Sequence, residues 1–128
     1  MTFHRAFDMA RSDGGIDSLV NDIIDLGFKR ILTSGQRKSA LDGTDLIKKL
    51  QEDYGDRIII MPGAGINENN LGEILRATGV QEFHGSARIR VQSRMKFKND
   101  LFVGSSEYET METAIEKVEK MVNIFANK

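Results

Sequence analysis

The chain has 128 residues, 40% of them hydrophobic and 29% charged, as in an ordinary soluble globular domain, and its formal net charge of −1 gives no overall attraction to nucleic acid. It contains no cysteine, which excludes disulfide bonds, zinc–thiolate sites and a thiol nucleophile. Because the opening MTFHRAFD lacks the apolar core of a signal peptide and no apolar run reaches the roughly 18 residues of a membrane-spanning helix, we expect a cytoplasmic protein without membrane or nucleic-acid partners.

Short apolar strands are predicted to alternate with amphipathic helices along the chain. The strands start near Thr2, Arg30, Arg57 and Gln81, a regular interval that suits a βα unit. Because no β-hairpin signal separates these units, we predict an α/β fold with a parallel sheet. The predicted helices follow residues 13–15 and cover residues 44–54, 68–78 and 107–126, the last with Met111 on its apolar face and its acidic residues early.

The stretch Arg57–Asn70, RIIIMPGAGINENN, is predicted to form a buried strand, a glycine turn and a helix start. Continuous apolarity over residues 58–61 indicates a strand covered on both faces. Gly63 and Gly65 allow a ligand to approach the backbone closely, and Asn67 can cap a helix whose free N–H groups suit an anion. The alternative is that these glycines only form a tight βα turn.

Polar residues also follow the first predicted strand, at the edge where parallel α/β folds bind ligands. His4, Arg5 and Asp8 are candidate catalytic residues. His4 offers an acid, a base or a metal ligand, Asp8 could fix its tautomer, and Arg5 could bind an anion. In the alternative interpretation, Arg5 and Asp8 form only an ion pair beside a hydrogen-bonded His4.

The loops after the later strands complete a predicted anion site. Hydroxyl and N–H groups after the second strand could hold an oxyanion or could only cap the turn. The last strand, which ends at His84, runs into a small-residue loop with a cation. The residues expected to bind an anion are therefore Thr33, Ser34, Gly63, Gly65, Ser86 and Arg88.

A long connection from about Ile89 to Ser106 follows the last predicted strand, and loops of this length are usually functional or mobile. Its positive charges could close over an anionic ligand at the Gly63–Gly65 turn, or they could form a solvated basic loop. These charges belong to Arg90, Arg94, Lys96 and Lys98.

Five strings in this order, TFHRAFD, ILTSGQ, MPGAGI, EFHGSAR and MKFKN, resemble the CutC copper-homeostasis family. The resemblance implies a TIM barrel, a cytoplasmic location, a role in copper tolerance and proposed copper binding, with no assigned reaction. It covers the latter half of a family member, since about four βα units are present where a (β/α)₈ barrel has eight. We therefore expect residues 1–128 to be a single domain, the C-terminal half of a CutC-like barrel.

Several functions remain open at this point. In a copper-handling protein, His4 and His84 would be the metal ligands, with Met61 or Met95 as further candidates. Cysteines that some relatives offer have no counterpart, because Gln36 and Gly85 stand in their places. The alternative is an enzyme or binder for a small phosphorylated or carboxylated molecule. A third possibility is a structural half-barrel that assembles as a homo-oligomer or with a missing N-terminal half.

Overall fold

The computed structural model describes residues 1–11, 13–92 and 109–127. Within these ranges, no helix combines the length and apolarity needed to cross a bilayer. Strands and helices alternate up to residue 78, and a two-stranded sheet and a last helix follow. The elements are β1 (Thr2–Phe3), α1 (Ala6–Met9), α2 (Gly15–Asp25), β2 (Arg30–Thr33), α3 (Thr44–Tyr54), β3 (Ile59–Pro62), α4 (Leu71–Thr78), β4 (Arg88–Gln92), β5 (Glu109–Thr113) and α5 (Ile115–Ala126).

The first three strands form a parallel sheet in the order β1-β2-β3, which confirms the predicted α/β class with a parallel sheet. In its register Phe3 pairs with Ile31, and Ile31 pairs with Ile60. The fourth predicted strand, near residue 81, is not a regular strand in the structure. It nevertheless lies beside β3, because the His84 N–H donates to the Pro62 carbonyl at 2.9 Å.

One face of the sheet packs against the helices and carries the core. Ile58 and Ile60 point to that face and are 3% and 1% exposed, whereas Ile59 on the opposite face is 36% exposed. The prediction that both faces are covered is therefore wrong for β3. In β2, by contrast, Ile31 and Leu32 lie on opposite faces and both are buried. Fully buried core side chains include Phe7, Val20, Ile31, Ile47, Leu50, Leu71 and Ile74.

The C-terminal part differs most from the sequence prediction. β4 and β5 form an antiparallel pair in which Arg88 faces Thr113, although no hairpin was expected. Residues 109–113 were predicted to be helical, but the helix begins only at Ile115. The segment ETMET alternates with period two, and β4 supplies backbone partners that a local pattern cannot reveal. The predicted ligand Met95 and the basic residues 94, 96 and 98 lie outside the described residues.

The other helices agree more closely with prediction. α2 begins at Gly15, and α3 covers the expected residues 44–54. α4 begins at Leu71, three residues later than predicted, and its N-cap is Asn70 instead of Asn67. The Asn67 side chain accepts from the Asn69 N–H at 2.8 Å, while the Asn70 amide donates to the Gly65 carbonyl at 2.7 Å. A local turn thus uses the Asn67 side chain that was expected to cap the helix.

Candidate functional site

The Asp8 carboxylate is held by the loop that follows β2. The Thr33 hydroxyl donates to Oδ1 at 2.5 Å, and the N–H groups of Ser34 and Gln36 lie 3.0 Å from Oδ2 and 3.1 Å from Oδ1 respectively. Gly35 and Gln36 have φ values of +69° and +59°, and successive left-handed residues turn backbone N–H groups toward an anion. The loop thus forms a cradle for an oxyanion, and in this structure the oxyanion belongs to the same chain.

This cradle keeps Asp8 ionised. Burial of the side chain tends to raise the pKa of Asp8, but hydrogen bonds from Thr33, Arg5, Ser34 and Gln36 outweigh burial and lower that pKa below its ordinary value of 3.8. The side chain is only 6% exposed. A carboxylate stabilised in this way is a weak proton acceptor at neutral pH, so Asp8 is better suited to hold other groups in place than to act as a general base.

Arg5 lies against the cradle and donates hydrogen bonds to both Asp8 and Ser34. Its Nε donates to Asp8 Oδ2 at 2.9 Å, and its Nη2 donates to the Ser34 hydroxyl at 3.0 Å. The ion pair considered in the sequence analysis is therefore present. The Arg5 side chain is still 46% exposed, so a cation at this edge of the sheet is both fixed and accessible.

In the described part of the chain, no hydrogen bond or ion pair joins His4 to Asp8. Among the described residues, the Asp8 carboxylate is bound by Arg5, Thr33, Ser34 and Gln36, so its predicted role in fixing the His4 tautomer is not supported by the geometry. The reason is the short helix α1, which turns Asp8 toward the β2 loop and leaves the His4 side chain exposed.

Both histidine side chains are exposed, and each follows a phenylalanine, Phe3 or Phe83, that packs against the core. They lie at opposite sides of the sheet, because His4 follows β1 whereas the His84 N–H donates to Pro62 of β3. Met61 of β3 is half-buried, next to the buried Ile60. Within the described part of the chain there is no group of three or more histidines, cysteines and acidic residues that could hold a metal ion.

Two of the remaining predicted anion loops are neighbours, because the Ser86 N–H donates to the carbonyl of Ile66, the residue after Gly65, at 3.2 Å. Gly63 is buried in the sheet, where a Cβ atom would lie 2.6 Å from Leu32 Cδ1, and its N–H donates to the Thr33 carbonyl. Gly65 is exposed with a φ of +72°, and Ser86 is exposed beside a cavity of about 370 Å³ that also reaches His84. Arg88 is the first residue of β4.

Sequence reasoning missed two contacts that shape the cradle. The Gln36 side chain donates to the Phe7 carbonyl at 3.2 Å and so joins the loop to α1. Gly43 packs its backbone against that of Gly35, and a Cβ atom on Gly43 would lie 2.8 Å from Gly35 Cα. The available signal was the pair of glycines that bracket the segment between β2 and α3, since close backbone approach is a common reason for glycine.

These features define an α/β protein with a polar site at the carboxyl edge of a parallel sheet. A sequence model of the CutC family matches residues 1–89. The chain belongs to the CutC family.

Relatives of known sequence extend this match over almost the whole chain. A CutC family protein of Parabacteroides distasonis is 44% identical over 95% of this chain and 51% of its own length. The human copper homeostasis protein cutC homolog is 42% identical over 99% of this chain and 47% of its own length. The crystal structure of a CutC from Streptococcus agalactiae is 35% identical, with a TM-score of 0.58 over 66% of this chain and 40% of that chain. The chain therefore spans about half the length of the relatives it matches.

Proposed function

We propose that this chain takes part in copper homeostasis in the cytoplasm and presents a copper-binding site at the carboxyl edge of its sheet. The observation that supports the proposal is the exposure of both histidine side chains, His4 after β1 and His84 beside β3, with Met61 half-buried on β3. Imidazole and thioether groups suit copper, and the human relative is named for copper homeostasis. Because no thiolate is available, we expect modest affinity.

A copper titration tests this proposal. Replacing both His4 and His84 with alanine is expected to abolish stoichiometric binding, and Met61→Leu is expected to weaken it. Met9→Leu is the matched control, because Met9 is 84% exposed on α1. Unchanged affinity in the double histidine variant would remove the metal site from these positions.

We further propose that the chain forms half of a (β/α)₈ barrel and needs a second polypeptide to cover its open face. In a complete barrel the inner face is filled by side chains from all eight strands. Here Ile59 is 36% exposed on that face and Met61 is only half-buried. A second copy of the chain or a separate N-terminal half would supply the missing cover. Light scattering and hydrogen exchange test this directly, since a monodisperse, well-protected monomer of 14.4 kDa would contradict it.

A second candidate function is the binding of a small phosphorylated or carboxylated molecule. The fixed and accessible guanidinium of Arg5 favours it. Phosphate should then raise the melting temperature, because a ligand selective for the native state stabilises by about 2.7 kcal/mol at a hundredfold excess over its dissociation constant. Gly65→Val is expected to remove the shift by blocking backbone approach. Gly79→Val is its control, because Gly79 has a nearly equal φ of +73° at the end of α4.

A further inference from the structure

The guanidinium of Arg5 has one occupied edge and one open edge. Nε and Nη2 face Asp8 and Ser34, at 2.9 Å and 3.0 Å. A guanidinium carries five N–H donors in a planar fork. Within residues 1–11, 13–92 and 109–127, the Nη1 donors and the second Nη2 donor have no hydrogen-bond partner. One N–H from each Nη atom therefore points outward along the end of the group, in the arrangement that binds two oxygen atoms at once.

The hydrogen bonds at the occupied edge of the Arg5 guanidinium restrict the motion of its open edge. An arginine side chain normally loses rotamer freedom when it binds a ligand, and that loss weakens binding. In this structure Asp8 and Ser34 already order the Arg5 side chain. The partners are themselves fixed, because Ser34 N–H and Gln36 N–H hold the Asp8 carboxylate from the other side. The open edge is therefore presented in one orientation.

The ion pair does not cancel the positive charge of Arg5 at its open edge. Asp8 distributes its negative charge over hydrogen bonds to Thr33, Ser34 and Gln36 as well as to Arg5. These donors lie within the loop, whereas the Arg5 side chain is 46% exposed. An incoming anion therefore meets the guanidinium before it meets the carboxylate.

We propose that the open edge of Arg5 binds a pair of oxygen atoms from a small oxyanion, and that Asp8 and Ser34 are positioning residues that aim it. This inference rests on the second candidate function and specifies its receptor. The proposal distinguishes two oxyanions at this edge of the sheet. The β2 loop binds the Asp8 carboxylate, and the open edge of Arg5 binds an oxyanion from solution. A carboxylate and a phosphate share the required pair of oxygens, so inorganic phosphate and acetate serve as the two probes.

The test follows the arginine side chains by ¹⁵N NMR in the full chain, in whatever assembly it forms. Added phosphate or acetate is expected to shift the Arg5 Nη signals in a saturable way, and the probe with the lower dissociation constant identifies the ligand chemistry. Arg5→Lys keeps the charge but removes the fork, and should raise that constant at least about tenfold. Arg76→Lys, on the exposed side of α4, is the matched control and should leave it unchanged.

A separate variant tests the positioning role. Asp8→Asn removes the charged acceptor of Arg5 Nε while keeping nearly the same shape. It should raise the dissociation constant and speed the exchange of the Arg5 Nε–H with water. If Asp8 only stabilises the fold, the dissociation constant and the Nε–H exchange rate of the folded fraction should not change. Unchanged values of these two quantities would therefore show that Asp8 does not position Arg5.

The experiment distinguishes failure of the Arg5 proposal from failure of the second candidate function. Saturable binding with unmoved Arg5 signals, or with equal affinity in Arg5→Lys, would overturn the inference and leave the second candidate function standing. No saturable binding of either probe would overturn both. If Arg5→Lys does not fold by circular dichroism, the Arg5 signals of the unchanged chain decide the matter.

Discussion

Arg30 at the start of β2 and Glu82, 52 residues later, form an ion pair with two hydrogen bonds, from Nε to Oε2 at 2.5 Å and from Nη2 to Oε1 at 2.9 Å. Glu82 belongs to the segment that follows α4 and lies beside β3 through the His84 N–H. The ion pair therefore spans β3 and ties this segment, with its histidine, to β2.

Acid should weaken the ion pair between Arg30 and Glu82. Hydrogen bonds from Arg30 lower the pKa of Glu82 below its ordinary value of 4.5, against the smaller opposing effect of burial. Because the folded-state pKa is the lower one, the stabilisation is complete above the unfolded-state pKa and is lost as pH falls through the folded-state pKa. We expect urea midpoints of the unchanged chain to fall more steeply from about pH 5 to pH 3 than those of Glu82→Gln. Glu119→Gln, at an exposed position of α5, should behave like the unchanged chain. Parallel curves for all three proteins would contradict this expectation.

Removing the Asp8 carboxylate should destabilise the chain. Asp8→Ala leaves the N–H groups of Ser34 and Gln36 without their acceptor in a place that is only 6% exposed. Buried donors without partners cost about 1–3 kcal/mol each, so urea unfolding should show a loss of about 2–3 kcal/mol. Asp56→Ala, in an exposed loop, should change the unfolding free energy by less than about 0.5 kcal/mol. Equal effects of the two substitutions would mean that the cradle does not depend on Asp8.

Two adjacent isoleucines should respond differently to truncation. Ile60 is 1% exposed in the core, so Ile60→Ala should lower the unfolding free energy by about 2–5 kcal/mol. Ile59 is 36% exposed on the open face, so Ile59→Ala should affect folding less and association more. Urea unfolding and concentration-dependent light scattering measure the two effects. A larger folding defect in Ile59→Ala would show that the core lies on the other face.

A methyl group on Gly43 should disturb the β2 loop. The added Cβ would lie 2.8 Å from Gly35 Cα, and backbone atoms cannot move aside as a flexible side chain can. Crowding of this kind typically costs about 1–3 kcal/mol, and calorimetry should show a lower melting temperature for Gly43→Ala. Gly72→Ala is the control, because its Cβ would approach most closely the flexible end of Arg76, at 3.2 Å, and would lie at an ordinary contact distance of 3.7 Å from Ile124. Alanine also favours a helix. The Gly72 variant should therefore be as stable as the unchanged chain or more stable.

Helices whose apolar spacing and end signals lie within one short segment were predicted correctly from the sequence. α3 was predicted over its observed residues because its apolar residues have helical spacing and Gly55 ends it. The pair β4 and β5 was missed because its strands come from distant segments. A run of acidic residues followed by lysines suits a helix start, and nothing local in residues 109–113 shows that β4 will pair with them.

The sequence predicted where the site lies but not which of its residues are hydrogen-bonded to each other. The sequence indicated that polar residues would collect where the parallel strands end, and Arg5, Asp8 and Ser34 do meet there. It could not show that Asp8 would turn away from His4, its neighbour in sequence, toward Ser34, which is 26 residues away. That choice depends on the direction of α1, a helix of only four residues that no periodic pattern reveals.

The distance along the chain between Asp8 and its cradle has a consequence for synthesis. A growing chain emerges with Asp8 long before Thr33 and Gln36, which follow it by 25 and 28 residues. Until then the carboxylate remains hydrated and the first βα unit lacks its closing contacts. Once residue 36 has emerged, several hydrogen bonds form together and offset the entropy of closing the intervening loop. The β1–α2 unit and the loop after β2 should therefore become ordered in one step during translation.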